Sequence, residues 1–130
     1  MIPRYTTPEM AKLWDERTKL ALWLEIELLA LEAASRFGLV PQEVAERVRA
    51  RARVPDPERV RAIEESKTRH DVVAFLEVMF EDLGDDARFL HRGLGSSDVV
   101  DTATSVLLVR AADLLLGELD RVASALARLA

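Results

Sequence analysis

One apolar stripe occupies the last quarter of the chain and continues to its final residues. From Asp98 onward, apolar residues recur every three or four positions, the spacing of one helix face: Leu107, Ala111, Leu114 or Leu115, Leu119, Val122, Leu126 and Leu129. A helix over 98–130 would be about 50 Å long, whereas a small domain is about 30 Å across. A compact monomer cannot cover this stripe. We therefore expect a helix of an oligomeric bundle, a chain truncated from a longer protein, or both.

The remainder of the chain also has helical periodicity, and no strand pattern competes with it. Thr7 and Asp15 are placed to cap helices, Gly38 fits a left-handed C-terminal cap, and Thr68 stands at a capping-box spacing from Asp71. The spacing predicts helices over 8–14, 15–37, 41–53, 56–66, 68–84 and, capped by Asp98, 98–130, with one turn at 85–90. The fold class is therefore all-α. We divide it into a helical domain over 1–97 and the start of a long-helix bundle over 98–130.

The composition excludes several functional classes. The chain has no cysteine, so thiolate catalysis, disulfides and cysteine-based metal sites are excluded. Only two histidines, His70 and His91, are present, and we predict neither a metal nor another cofactor. A net charge of −5 argues against nucleic acid or an anionic membrane as a partner. The first residues do not form a signal peptide and no spanning segment is visible. We expect a cytoplasmic protein, with which the absence of cysteine is compatible.

Residues 68–71 place a cation, an imidazole and a carboxylate at a predicted helix start. Helix N-termini present free amides and suit anions, and Asp71 could fix the tautomer of His70. The alternative is that Thr68 and Asp71 only cap the helix while Arg69 and His70 are solvated. The spacing alone leaves both interpretations open.

Two further groups could bind an anion. Residues 93–98 combine two glycines with the hydroxyls of Ser96 and Ser97 before a helix, with His91 at the mouth of the loop. Arg4 and Tyr5 could clamp a phosphate and stack on a ring. Each group also has a simpler interpretation. Residues 93–98 could be a flexible loop in which Asp98 caps the next helix, and Arg4-Tyr5 could be an exposed terminal pair.

Four segments together resemble the N-terminal part of the adenylosuccinate lyase family, in the fumarase and aspartase superfamily. They are Arg4-Tyr5 and residues 23–27 (WLEIE), 67–75 (KTRHDVVAF) and 91–103 (HRGLGSSDVVDTA). The resemblance implies β-elimination of fumarate from adenylosuccinate, leaving AMP, and from SAICAR, leaving AICAR, in purine biosynthesis. It also implies a homotetramer whose active sites are assembled from several subunits.

The resemblance assigns roles to individual residues. By this resemblance His70 and His91 are the catalytic candidates. It also implies a set of substrate-binding residues: Arg4, Tyr5, Arg69, Asp71, Gly95, Ser96 and Ser97. Arg4 and Tyr5 would hold the phosphate, and the loop containing Gly95 and Ser96 would hold a carboxylate of the succinyl group.

The chain departs from the family pattern in two ways. Gly95 stands where the family usually has Thr, which removes one hydroxyl. The family's general-acid histidine and its mobile serine-containing loop have no counterpart in these 130 residues. We therefore expect the chain to be inactive by itself. The alternatives are another lyase of the superfamily, such as an argininosuccinate lyase or a cycloisomerase, and a non-catalytic helical oligomerisation module.

Overall fold

The computed structural model describes residues 2–129, and that part of the chain contains helices and no strand. Met1 and Ala130, the outer limits of the two predicted domains, lie outside it. Six α-helices follow one another: α1 (Pro8–Leu13), α2 (Glu16–Arg36), α3 (Gln42–Arg51), α4 (Pro57–Ile63), α5 (Asp71–Leu83) and α6 (Ser96–Leu129). Short helical turns cover Pro3–Tyr5, Glu64–Thr68 and Gly84–Phe89. The all-α prediction is confirmed.

Helix α2 provides the central face of the core. It is capped by Asp15, whose carboxylate accepts a 2.6 Å hydrogen bond from the Thr18 amide, and this bond lowers the pKa of Asp15. One stripe of α2 is buried: Leu20, Trp23, Leu24, Glu27, Leu28 and Leu31. Two apolar residues of this stretch, Leu29 and Phe37, are mostly exposed.

Helix α5 packs against α2 and closes the core. The ring of Phe75 meets Trp23 edge to face, with centroids 5.8 Å apart and an interplanar angle of 87°. Trp23 is buried in the core, whereas Trp14 is 38% exposed and lies at the surface. The core therefore joins the chain's first long helix to the helix that follows the Arg69-His70 segment.

Ion pairs hold the outer helices in register. Arg47 of α3 donates two hydrogen bonds to Asp86, which lowers the pKa of Asp86 and raises that of Arg47. Arg49 donates to Glu25 of α2, and this bond raises the pKa of Arg49. These pairs are solvent-exposed, so they orient helices more than they stabilise the fold.

Helix α6 leaves the body of the molecule part-way along its length. Its proximal half, residues 96–111, buries Val99, Ala103, Leu107 and Ala111 against the preceding helices. Its distal half, residues 112–129, has no buried residue. None of the helices in residues 2–129 has the length and apolar content needed to span a membrane.

Candidate functional site

The Arg69-His70 segment is shaped by an abrupt change of direction. The wide helical turn Glu64–Thr68 ends at Arg69, which adopts a left-handed conformation with φ 53° and donates its amide to the Glu64 carbonyl at 2.9 Å. Because the chain turns there, α5 begins at Asp71 and His70 is its N-cap. The prediction that Thr68 caps this helix is wrong, since its hydroxyl instead donates to the His70 carbonyl at 2.9 Å.

The imidazole of His70 is held loosely on one edge. Its Nδ1 accepts from the Val73 amide at 3.5 Å and lies 3.4 Å from a carboxylate oxygen of Asp71. Both side chains are nearly half exposed. Asp71 and His70 therefore lie close together in a geometry that a ligand could tighten.

The loop over residues 93–98 meets α6 differently from the prediction. The helix begins at Ser96, so Asp98 is its third residue and not its cap. The Asp98 carboxylate reaches back to accept the Gly95 amide at 2.7 Å, which satisfies a backbone donor just outside the helix. A Cβ at Gly95 would lie 3.5 Å from the Asp98 carboxylate, an ordinary contact. The backbone therefore does not require glycine at position 95.

The fold brings these two segments together. Nε2 of His70 lies 3.5 Å from the Ser96 hydroxyl, although the residues are 26 positions apart. Ser96 stands in the first turn of α6, where backbone amides lack helical acceptors and the helix dipole is positive. An imidazole, a hydroxyl and a helix N-terminus thus converge at one surface point that suits a carboxylate or phosphate. Arg69 and Ser97 flank this point in sequence, and both are exposed.

The Arg4-Tyr5 pair lies elsewhere. The Arg4 guanidinium stacks 5.6 Å from the Tyr5 ring centroid, and Tyr5 lines a surface cavity with Leu114 and Leu115 of α6. Those leucines are about 27 Å along the helix from Ser96. A single chain therefore does not place this pair beside His70.

His91 has a partner that the motif analysis missed. Nδ1 of His91 lies 2.6 Å from one carboxylate oxygen of Glu27, and the His91 amide donates to the other oxygen at 2.7 Å. The sequence did contain a signal, because Glu27 lies on the apolar stripe of α2, where a carboxylate needs a partner. In residues 2–129, no three His, Asp or Glu side chains cluster so as to hold a metal ion.

The helical body and the long helix that emerges from it have a counterpart among solved structures. A solved structure of the same fold is a fumarate lyase from Mesorhizobium sp. BNC1, with a TM-score of 0.74 and 25% identity, over 82% of this chain and 25% of that chain. No family model matches the chain.

The curated relatives carry a more specific name. The chain is 44% identical to an adenylosuccinate lyase from Synechocystis over 97% of its length, 46% identical to one from Bacillus subtilis over 93%, and 47% identical to one from Thermotoga maritima over 92%. It spans 27–29% of the length of these relatives. The resemblance to the N-terminal part of adenylosuccinate lyases is thereby confirmed.

Proposed function

We propose that this chain forms the N-terminal part of an adenylosuccinate lyase, which releases fumarate from adenylosuccinate and from SAICAR. The observation that carries the proposal is 44–47% identity to enzymes of that name across 92–97% of the chain. The proposal includes a role in purine biosynthesis, in the cytoplasm, as a homotetramer.

The local chemistry fits such a substrate. Adenylosuccinate carries a phosphate and two carboxylates, and the overall charge of −5 would repel it. The point where His70 and Ser96 meet offers hydroxyl and amide donors for one of these anionic groups. Arg69 adds a cation one residue before His70.

The separation of Arg4-Tyr5 from His70 fits a site shared between subunits. If Arg4 and Tyr5 bind the phosphate, a second chain must bring them to the His70 of the first. We propose 1–97 as the substrate-binding domain and 98–130 as the start of the bundle that brings the chains together.

The test compares the 130-residue chain with the protein expressed from the whole reading frame. We expect fumarate release from adenylosuccinate, followed by absorbance, only when the remaining segment is present. In that protein His70→Asn should lower kcat at least about a hundredfold, as loss of an acid–base or positioning group does. Arg61→Ala, which removes an exposed guanidinium paired with Glu58, is the matched control and should stay within about twofold.

Two results would overturn the proposal. Cleavage of argininosuccinate in place of adenylosuccinate would indicate another lyase of the superfamily. Fumarate release from neither substrate would indicate a helical oligomerisation module.

A further inference from the structure

Glu27 is the charged side chain that the fold buries most completely within residues 2–129. It is 1% exposed and lies in the apolar stripe of α2, beside Leu24, Leu28 and Leu31. It stands in the middle of the helix, where the backbone amides are already bonded and the helix dipole gives no support. A carboxylate in such a place is costly unless each oxygen has a partner.

Both partners come from one residue 64 positions away. The His91 amide donates to one oxygen of Glu27 at 2.7 Å, and Nδ1 meets the other oxygen at 2.6 Å. His91 adopts a left-handed conformation with φ 58°, which is uncommon outside glycine and persists where surrounding contacts enforce it. The two bonds to Glu27 are such contacts, so this carboxylate fixes both the backbone and the ring of His91.

The geometry also fixes where the imidazole carries its proton. A carboxylate has only hydrogen-bond acceptors, and its second oxygen already accepts the His91 amide, so the ring must be the donor in the bond to Nδ1. The proton between the groups therefore belongs to Nδ1. Nε2, on the opposite edge of the ring, keeps an unshared electron pair when His91 is neutral, and no described residue bonds to it. The side chain is 21% exposed, so a ligand can reach this edge.

We propose that Glu27 is the positioning residue of His91 and sets it to accept a hydrogen bond or a proton at Nε2. This inference rests on the proposed lyase function, in which His91 belongs to the site. A proton leaving an O–H, N–H or C–H group of the substrate would form a bond to Nε2, and its electron pair would remain on the substrate. The resulting imidazolium would then be stabilised by the buried carboxylate of Glu27.

The direct test is the tautomer of His91 in the 130-residue chain. Nitrogen-15 NMR distinguishes a protonated ring nitrogen from an unprotonated one, and His70→Gln leaves a single histidine for assignment. The spectrum is followed to alkaline pH until the shifts stop changing. We expect a protonated Nδ1 and an unprotonated Nε2. A proton on Nε2, or an even mixture, would overturn the proposal without any variant of Glu27.

Glu27→Gln sharpens the test. The amide oxygen can still accept the His91 amide, but its NH₂ group then faces Nδ1 as a donor, so the ring proton should move to Nε2. The matched control is Glu25→Gln, two residues away, whose half-exposed carboxylate pairs with Arg49. We expect this control to leave the His91 spectrum unchanged. An unchanged tautomer in Glu27→Gln would also count against the proposal.

In the protein from the whole reading frame, Glu27→Gln should lower kcat about a hundredfold and change KM less than about threefold. Glu25→Gln should change neither by more than about twofold. A normal kcat in Glu27→Gln together with a reversed His91 tautomer would show that Glu27 has no positioning role in the reaction. Failure of the lyase proposal would be recognised separately, as absence of fumarate release while His91 still carries its proton on Nδ1.

Discussion

The two halves of α6 have the same apolar periodicity and different surroundings. In the proximal half, residues such as Ala103 and Leu107 are buried against the preceding helices. In the distal half, Leu119 is 62% exposed and Leu126 is 61% exposed. An apolar stripe therefore identifies the face that a helix offers for packing, and the rest of the fold determines whether this chain covers it.

The largest expected contrast is between equivalent leucines of the two halves. Leu107→Ala should destabilise the fold by about 2–4 kcal/mol, because it leaves a cavity in the core. Leu119→Ala should change the unfolding free energy by less than about 0.5 kcal/mol, since its side chain is exposed. Urea unfolding followed by circular dichroism, at a concentration where the chain is monomeric, measures both. Equal losses would show that the distal leucines are packed in the monomer.

Periodicity predicted most helix bodies well, but two of the predicted helix caps are wrong. Asp98 and Thr68 had the composition of caps, yet α6 begins at Ser96 and α5 begins after His70. A helix cap depends on the backbone conformation of the residues before the helix, such as the left-handed Arg69. The order of residue types along the chain does not by itself determine that conformation. Helix ends were therefore predicted to within a few residues. The predicted caps Thr7 and Asp15 are confirmed, whereas those at Thr68 and Asp98 are wrong.

The candidate site was predictable in its parts and not in its assembly. The segments around His70 and Ser96 were identified separately, and their meeting depends on how α5 and α6 pack. The pairing of Glu27 with His91 spans 64 residues, and spacing along the chain gives no indication of it. The sequence does show a carboxylate on an apolar stripe. This position indicates that the carboxylate has a partner, but it does not identify the partner as His91.

The second prediction concerns what covers the distal half. We expect the chain to self-associate through this half. Leu119→Glu should raise the dissociation constant of the assembly at least about tenfold, because the new charge would lie in the apolar surface that association buries. Ser124→Glu adds the same charge and is the matched control, since five residues place it about 140° around the helix from Leu119. Sedimentation over a range of concentrations separates the two. A wild-type monomer at high concentration, or equal effects of both variants, would contradict this expectation.

The smallest expected effect tests whether the distal half unfolds with the rest. Gly117 lies inside α6, and a Cβ there would meet no atom within 4 Å. Gly117→Ala should therefore favour the local helix by about 0.5–1 kcal/mol. If the distal half frays independently in the monomer, slower amide exchange over 112–129 should accompany an unchanged midpoint of global unfolding. Gly38→Ala is the opposing control: its φ of 72° disfavours alanine, so the same substitution should lower that midpoint. A raised global midpoint for Gly117→Ala would show that both halves of α6 unfold as one unit, and the contrast between them would then concern solvent exposure alone.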